Sequence, residues 1–215
     1  MQIKKISEIF SDERLLPYLK RFPHDNVKAI ELYKINIKLS EACYVSLSVL
    51  EVALRNAIHN SFSKHFKTEY WLKTHLDSSL TKQVFEAESK ILSSHKQVTS
   101  GRLISELTFG FWTTLFNRKY APVLWKPLHR VFHQMPAKER QRAIISPKLN
   151  TVRTFRNRIY HYEPISWDFD ELEKHYKIIY EVIGWLEPDL IPWTKELDDF
   201  TTELDKAKRI LGLLE

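Results

Sequence analysis

Residues 41–66 read EACYVSLSVLEVALRNAIHNSFSKHF. Wound as an α-helix, this stretch carries apolar side chains around most of its circumference, among them Tyr44, Val45, Leu47, Val49, Leu50, Leu54, Ile58 and Phe62. A helix apolar on most sides needs protein on most sides, so the stretch predicts a helical bundle built around itself. One narrow polar face interrupts the pattern: Ser48, Glu51, Arg55 and His59 fall at i, i+3, i+7 and i+11. Charge on a largely buried helix is costly unless paired, so Glu51 and Arg55 are expected to bond to each other or to a neighbouring helix. The face reads either as a structural ion pair with a satisfied histidine or as part of a site.

Outward from this helix the signals remain helical. Alternating β-branched stretches and Asn-Gly or Asp-Gly turns are absent from the sequence, which predicts an all-α fold. A short helix is expected near residues 4–12 and a second from Asp25 to about Ser40. Asp77-Ser78-Ser79 predicts the start of a helix to about Lys96, and Thr99-Ser100 the start of one to about Arg118. Pro122, Pro127 and Pro136 divide the next stretch into short pieces. Pro147 suits the start of a helix that Pro164 ends at about His161 or Tyr162. Asp168 or Asp170 then begins a helix to about Leu186, and Thr194 a last one to about Leu213.

The 215 residues exceed what a sizeable core needs but fall short of two ordinary domains, and no internal repeat or low-complexity linker divides them. One domain over 1–215 is expected, its core over about 40–186 and the terminal helices accessory. With 43% apolar residues and only 4 glycines, disorder is not expected. The single cysteine, the lack of an apolar signal-peptide core after Met1, and the absence of a membrane-length apolar run point to a cytoplasmic protein with no membrane partner.

The net charge of +6 is unevenly spread. From Lys126 to Arg158 nine Lys or Arg face the single acid Glu139, whereas from Glu163 to the end fourteen acids face six bases. A basic stretch of this density suits a polyanion, and it is also compatible with a solvated basic helix face. Within it, Arg153, Arg156, Asn157, Arg158 and His161 crowd into the last turns before Pro164. Imidazole moves a proton near neutral pH and guanidinium offers a planar fork to phosphate oxygens. Together they supply what cleavage of RNA by its own 2′-hydroxyl needs, with no metal or other cofactor. Asn157 and His161 share a helix face, whereas Arg156 and His161 stand about 140° and about 7.5 Å apart in a regular helix. They converge only if the helix end distorts, the Arg156 side chain reaches round, or another copy completes the site. The same residues also make an ordinary basic helix C-terminus favoured by the macrodipole.

The stretch Arg156-Asn157-Arg158-Ile159-Tyr160-His161-Tyr162-Glu163-Pro164-Ile165 resembles the R-x4-6-H signature of HEPN proteins, in the form found in the Abi-like (abortive infection, AbiD and AbiF type) family. Leu50 to Asn60 resembles that family's early helix, and Glu106 to Phe116 its Thr-Phe-Gly-x-Trp segment, so the resemblance spans most of 40–186. It implies an HEPN-like helical bundle and a metal-independent endoribonuclease acting in phage defence or as a toxin. It also implies a homodimer with a composite active site, and an antitoxin or regulatory RNA as possible further partner. By position, His161 would transfer protons and Arg156 would hold the scissile phosphate, with Asn157 beside them. Glu51, Arg55, His59, Arg153 and Arg158 would support the site or touch RNA. A non-catalytic RNA-binding or partner-binding module is the alternative. His129 and His133 have a zinc-compatible i, i+4 spacing but lack the glutamate of a zinc hydrolase, so no metal site is assigned. Cys43, on the apolar helix, reads as a packed residue.

Overall fold

A computed structural model describes residues 3–213. The chain order is α1 (Ile3–Phe10), α2 (Asp12–Arg21), α3 (Asn26–Ala42), α4 (Tyr44–Phe66), α5 (Trp71–Thr74), α6 (Ser78–Ser93) and α7 (Ser100–Glu106). It continues with α8 (Phe109–Thr114), a 3-10 turn at Arg118–Tyr120, α9 (Ala121–Leu128), α10 (Arg142–Tyr160), α11 (Phe169–Leu186), α12 (Leu190–Lys195) and α13 (Phe200–Ile210). No strand occurs among the described residues, so the fold is an all-α bundle. None of its described helices is long and apolar enough to cross a membrane.

The central position expected of residues 41–66 is what α4 occupies. It packs most extensively on α11 and also meets α3, α5, α7, α8, α9 and α12. Leu47, Leu50, Leu54, Ile58 and Phe62 are buried, whereas Tyr44 and Val52 lie exposed, so one strip of α4 reaches solvent. A continuous core runs from Ile35 to Ala207, with Trp71, Trp112, Phe62 and Phe132 among its fully buried side chains. Phe200, Leu204 and Ala207 of α13 belong to it, so the core extends beyond the 40–186 expected from sequence. Cys43 is buried in the same core, where desolvation raises its thiol pKa well above the ordinary value.

Side-chain caps act where the sequence placed them. Asp25, Asp77, Thr99 and Asp168 each accept the backbone N–H three residues on. Four boundaries differ from expectation. Helix α2 was not among the expected helices; it holds Pro17 in its interior, while Ser11 as N-cap, Asp12 and Glu13 in the first turn and Lys20 and Arg21 in the last fit the helix dipole. The helix expected over 99–118 breaks at Leu107, because the Thr108 hydroxyl accepts the Phe111 N–H and starts α8, turning Phe109, Phe111 and Trp112 into the core. Helix α10 begins at Arg142, five residues before Pro147; burial of Ile145 and Ser146 outweighs the backbone hydrogen bond that Pro147 forgoes. Thr194 is not a cap: it is buried within α12 and its hydroxyl donates to the Leu190 carbonyl at 2.6 Å, so the last helix starts only at Phe200.

Candidate functional site

Helix α10 ends in a six-residue closure that determines where the signature residues point. The Glu163 N–H donates to the Arg158 carbonyl at 2.8 Å and the Tyr162 N–H to the Ile159 carbonyl at 3.0 Å, the paired bonds of a Schellman motif. His161 is the C-cap, at φ −91°, and Tyr162 takes the left-handed position at φ 57°, where glycine is the usual residue. A tyrosine in that conformation carries a steric cost, yet the residue stays 74% exposed. Three contacts hold the turn. Arg14 of α2 donates to the Tyr162 carbonyl and lies 5.9 Å from the centre of its ring. Arg158 donates to the Pro164 carbonyl, and its Nε lies 3.7 Å from the Glu163 carboxylate. Asn36 of α3 is 3% exposed, and its Oδ1 accepts from the Ile165 and Ser166 N–H groups at 2.6 and 3.2 Å.

One turn before the closure, Arg156 is fixed on two sides. Its Nε donates to the Glu51 carboxylate of α4 at 3.2 Å, and its guanidinium carbon sits 4.1 Å from the centre of the Tyr160 ring. Both charged side chains are about one-fifth exposed, 22% for Arg156 and 20% for Glu51, so the pair is only partly screened by water. Glu51 thus bonds to a neighbouring helix, one of the two partners the sequence allowed, and not to Arg55. The two Nη groups of Arg156 have no hydrogen-bond partner among the described residues. His161 is exposed and its imidazole makes no hydrogen bond there; the same holds for the Asn157 amide. No hydrogen bond links Arg156 to His161, and α10 stays helical as far as Tyr160, so the offset expected from their five-residue spacing is kept along the helix.

The remaining predicted residues divide. Arg153 is half-buried without an ion-pair partner among the described residues, and Arg55 has its Nε buried without a hydrogen bond. Arg158 is engaged in holding the turn. His59 faces away from the cluster's chemistry: its Nδ1 accepts the Trp71 indole N–H at 3.2 Å, and its Nε2 stands 3.4 Å from the Ser63 hydroxyl. Desolvation lowers the His59 pKa below the ordinary 6.5, opposed in part by the charge of Glu69. A depressed folded-state pKa means that its stabilising contribution is complete above pH 6.5 and is lost as pH falls through the folded value. Melting temperatures between pH 5 and 8 are therefore expected to fall on the acid side less steeply in His59→Gln than in wild type. Parallel curves for the two proteins would remove His59 from that role.

Of the basic stretch, Arg140 clamps the His133 and Met135 carbonyls, both at 2.7 Å, and Lys148 pairs with Glu181. Lys126, Arg130, Lys138 and Arg142 form no ion pair among the described residues and remain available to an anion. His129 caps α9 and His133 lies beyond its end, so their helical i, i+4 spacing is not kept. Among the described residues, no group of three or more His, Cys, Asp or Glu gathers as a metal site would require.

Sequence reasoning missed Arg14, Asn36 and Tyr160 as parts of this site. Tyr160 lies four residues after Arg156, so the helical period alone could have revealed it. Arg14 and Asn36 reach it across more than 120 residues of chain, for which the sequence carries no local signal. Searches against known protein families, curated proteins and solved structures return no match for this chain.

Proposed function

We propose that the chain is a metal-independent endoribonuclease of HEPN type. The observation that carries the reading is the end of α10, where an exposed imidazole lies five residues from a guanidinium oriented by Glu51 and Tyr160, and neither the imidazole nor the two Nη groups has a hydrogen-bond partner among the described residues. In the proposed reaction the RNA 2′-oxygen attacks the adjacent phosphorus and the bond from phosphorus to the 5′-oxygen breaks. A base removes the proton of the 2′-hydroxyl and an acid supplies one to the departing 5′-oxygen, leaving a 2′,3′-cyclic phosphate and a 5′-hydroxyl. His161 serves in proton transfer, and Arg156 neutralises charge growing on the non-bridging phosphate oxygens. The resemblance of residues 156–165 to the Abi-like signature supports the same roles and a setting in phage defence or toxin action.

The gap between Arg156 and His161 supports a second copy of the chain completing the site across a twofold axis, each copy supplying what the other lacks. The same gap favours the competing reading, an RNA-binding or partner-binding module that does not cut. The two separate in one assay. Purified protein incubated with a broad panel of single-stranded and structured RNAs in the presence of chelator is expected to yield fragments ending in 2′,3′-cyclic phosphate. RNA bound but intact across the panel would reject cleavage and leave the binding module; activity from a species that sediments only as monomer would reject the composite site.

A further inference from the structure

Beside the end of α10 lies an open groove of about 970 Å³, large enough for a nucleotide. Five aromatic side chains line it: Phe10, Tyr33, Tyr44, Tyr160 and Tyr162. Tyr44, Tyr160 and Tyr162 are 58%, 43% and 74% exposed, far more than a core requires, and Tyr162 holds its outward position at the left-handed φ described above. We infer that this groove stacks an unpaired RNA base next to the phosphate held at Arg156; the inference rests on the nuclease reading and names where its substrate is gripped.

Three features argue for this occupant. First, the groove is continuous with the candidate site, since Tyr160 both lines it and carries the Arg156 guanidinium on its ring. Second, the aromatic surface is edged by guanidinium groups: Arg14 lies over Tyr162 as Arg156 lies over Tyr160. Aromatic faces interleaved with arginine are how proteins hold single strands, bases stacking on the rings while phosphates follow the charge. Third, the interior is close to electrically neutral, which suits a base and not a phosphate. Of its acids, Glu41 pairs with Lys38 at 2.9 Å and Glu203 with Lys206 at 2.8 Å, which leaves among the lining residues one further acid, Asp199, and one further base, Arg14. Duplex RNA presents no free base face to such a surface, so the groove selects loops, bulges and ends.

Tyr44 is the residue to change, because it is exposed at the first turn of α4 and lies outside the cluster assigned to chemistry. The probe is a ten-nucleotide single-stranded RNA carrying 2-aminopurine and 2′-O-methyl groups that block cleavage. Binding to wild type is expected to quench the 2-aminopurine. Tyr44→Ala is expected to weaken binding roughly 10-fold, the loss of one stacked base, and Tyr44→Trp to restore it. Equal affinity of wild type and Tyr44→Ala would overturn the groove assignment while leaving the nuclease reading intact. Groove-dependent binding by a wild type that cuts no unmodified RNA would uphold the groove and remove the nuclease. Failure of wild type to bind any single strand would overturn both. A change from dimer to monomer in Tyr44→Ala with RNA binding unaltered would reassign the groove to contact between copies and overturn the inference.

Discussion

Replacing His161 by alanine is expected to lower RNA cleavage by about 10²- to 10⁴-fold, the usual weight of a general acid or base, with no measurable change in melting temperature. The separation of the two effects follows from its placement. His161 caps α10 through its backbone, whose N–H bonds to the Asn157 carbonyl at 2.9 Å, while its imidazole is exposed and makes no hydrogen bond among the described residues. Removing it leaves no cavity and no orphaned partner. Arg156 is different because it serves the fold as well. Arg156→Ala is expected to cost about 10²- to 10³-fold in cleavage and also about 1–2 kcal/mol of stability, since the Glu51 carboxylate, 20% exposed, loses its partner. Glu51→Gln keeps the guanidinium charge and disturbs only its orientation, so a loss of about 10-fold in rate is expected, less than for either direct change. Single-turnover cleavage beside thermal melts reads all three. Wild-type cleavage by His161→Ala would reject the assignment of this residue, whatever the protein does with RNA.

The second large effect is on stability. Asn36→Leu preserves volume but removes the acceptor shared by the Ile165 and Ser166 N–H groups, both in residues only 5% exposed. The Ser166 hydroxyl, which donates to the same oxygen at 3.3 Å, loses its acceptor too. Stranding buried backbone donors costs about 1–3 kcal/mol each, so a loss of about 2–6 kcal/mol is expected for the two. In a chain of 215 residues that corresponds to a fall of roughly 4–24 °C in melting temperature. Hydrogen exchange locates the change: the amides of Ile165 and Ser166 are expected to lose protection ahead of the rest of the chain in Asn36→Leu. An unchanged melt and undisturbed exchange at those two amides would show that the turn holds itself. The turn positions His161, so the same variant tests whether its anchoring matters to activity: cleavage is expected to fall although no residue of the reacting cluster has changed.

Local chemistry made much of this protein legible in advance. The apolar circumference of 41–66 marked the helix that packs most extensively, and Asp25, Asp77, Thr99 and Asp168 announced starts because a side-chain oxygen satisfies the same N–H wherever the chain goes. The legible part failed where two local signals competed. Pro147 argued for a helix start that burial overrode, and Thr108 broke a helix whose period continued through it.

The offset between Arg156 and His161 along α10 was read from spacing, because rotation per residue is a property of the helix alone. What only the tertiary structure decided is which partner each charged group meets. Glu51 reached Arg156 and not Arg55; His59 turned to Trp71; Arg14 and Asn36 closed the turn from the other end of the chain; and five aromatics from four segments met in one groove. Helix, cap and face arise from interactions within a few residues, so the sequence contains them directly. Ion pairs and grooves between distant segments depend on how whole helices pack, and packing is settled by the summed burial of the core rather than by any short stretch.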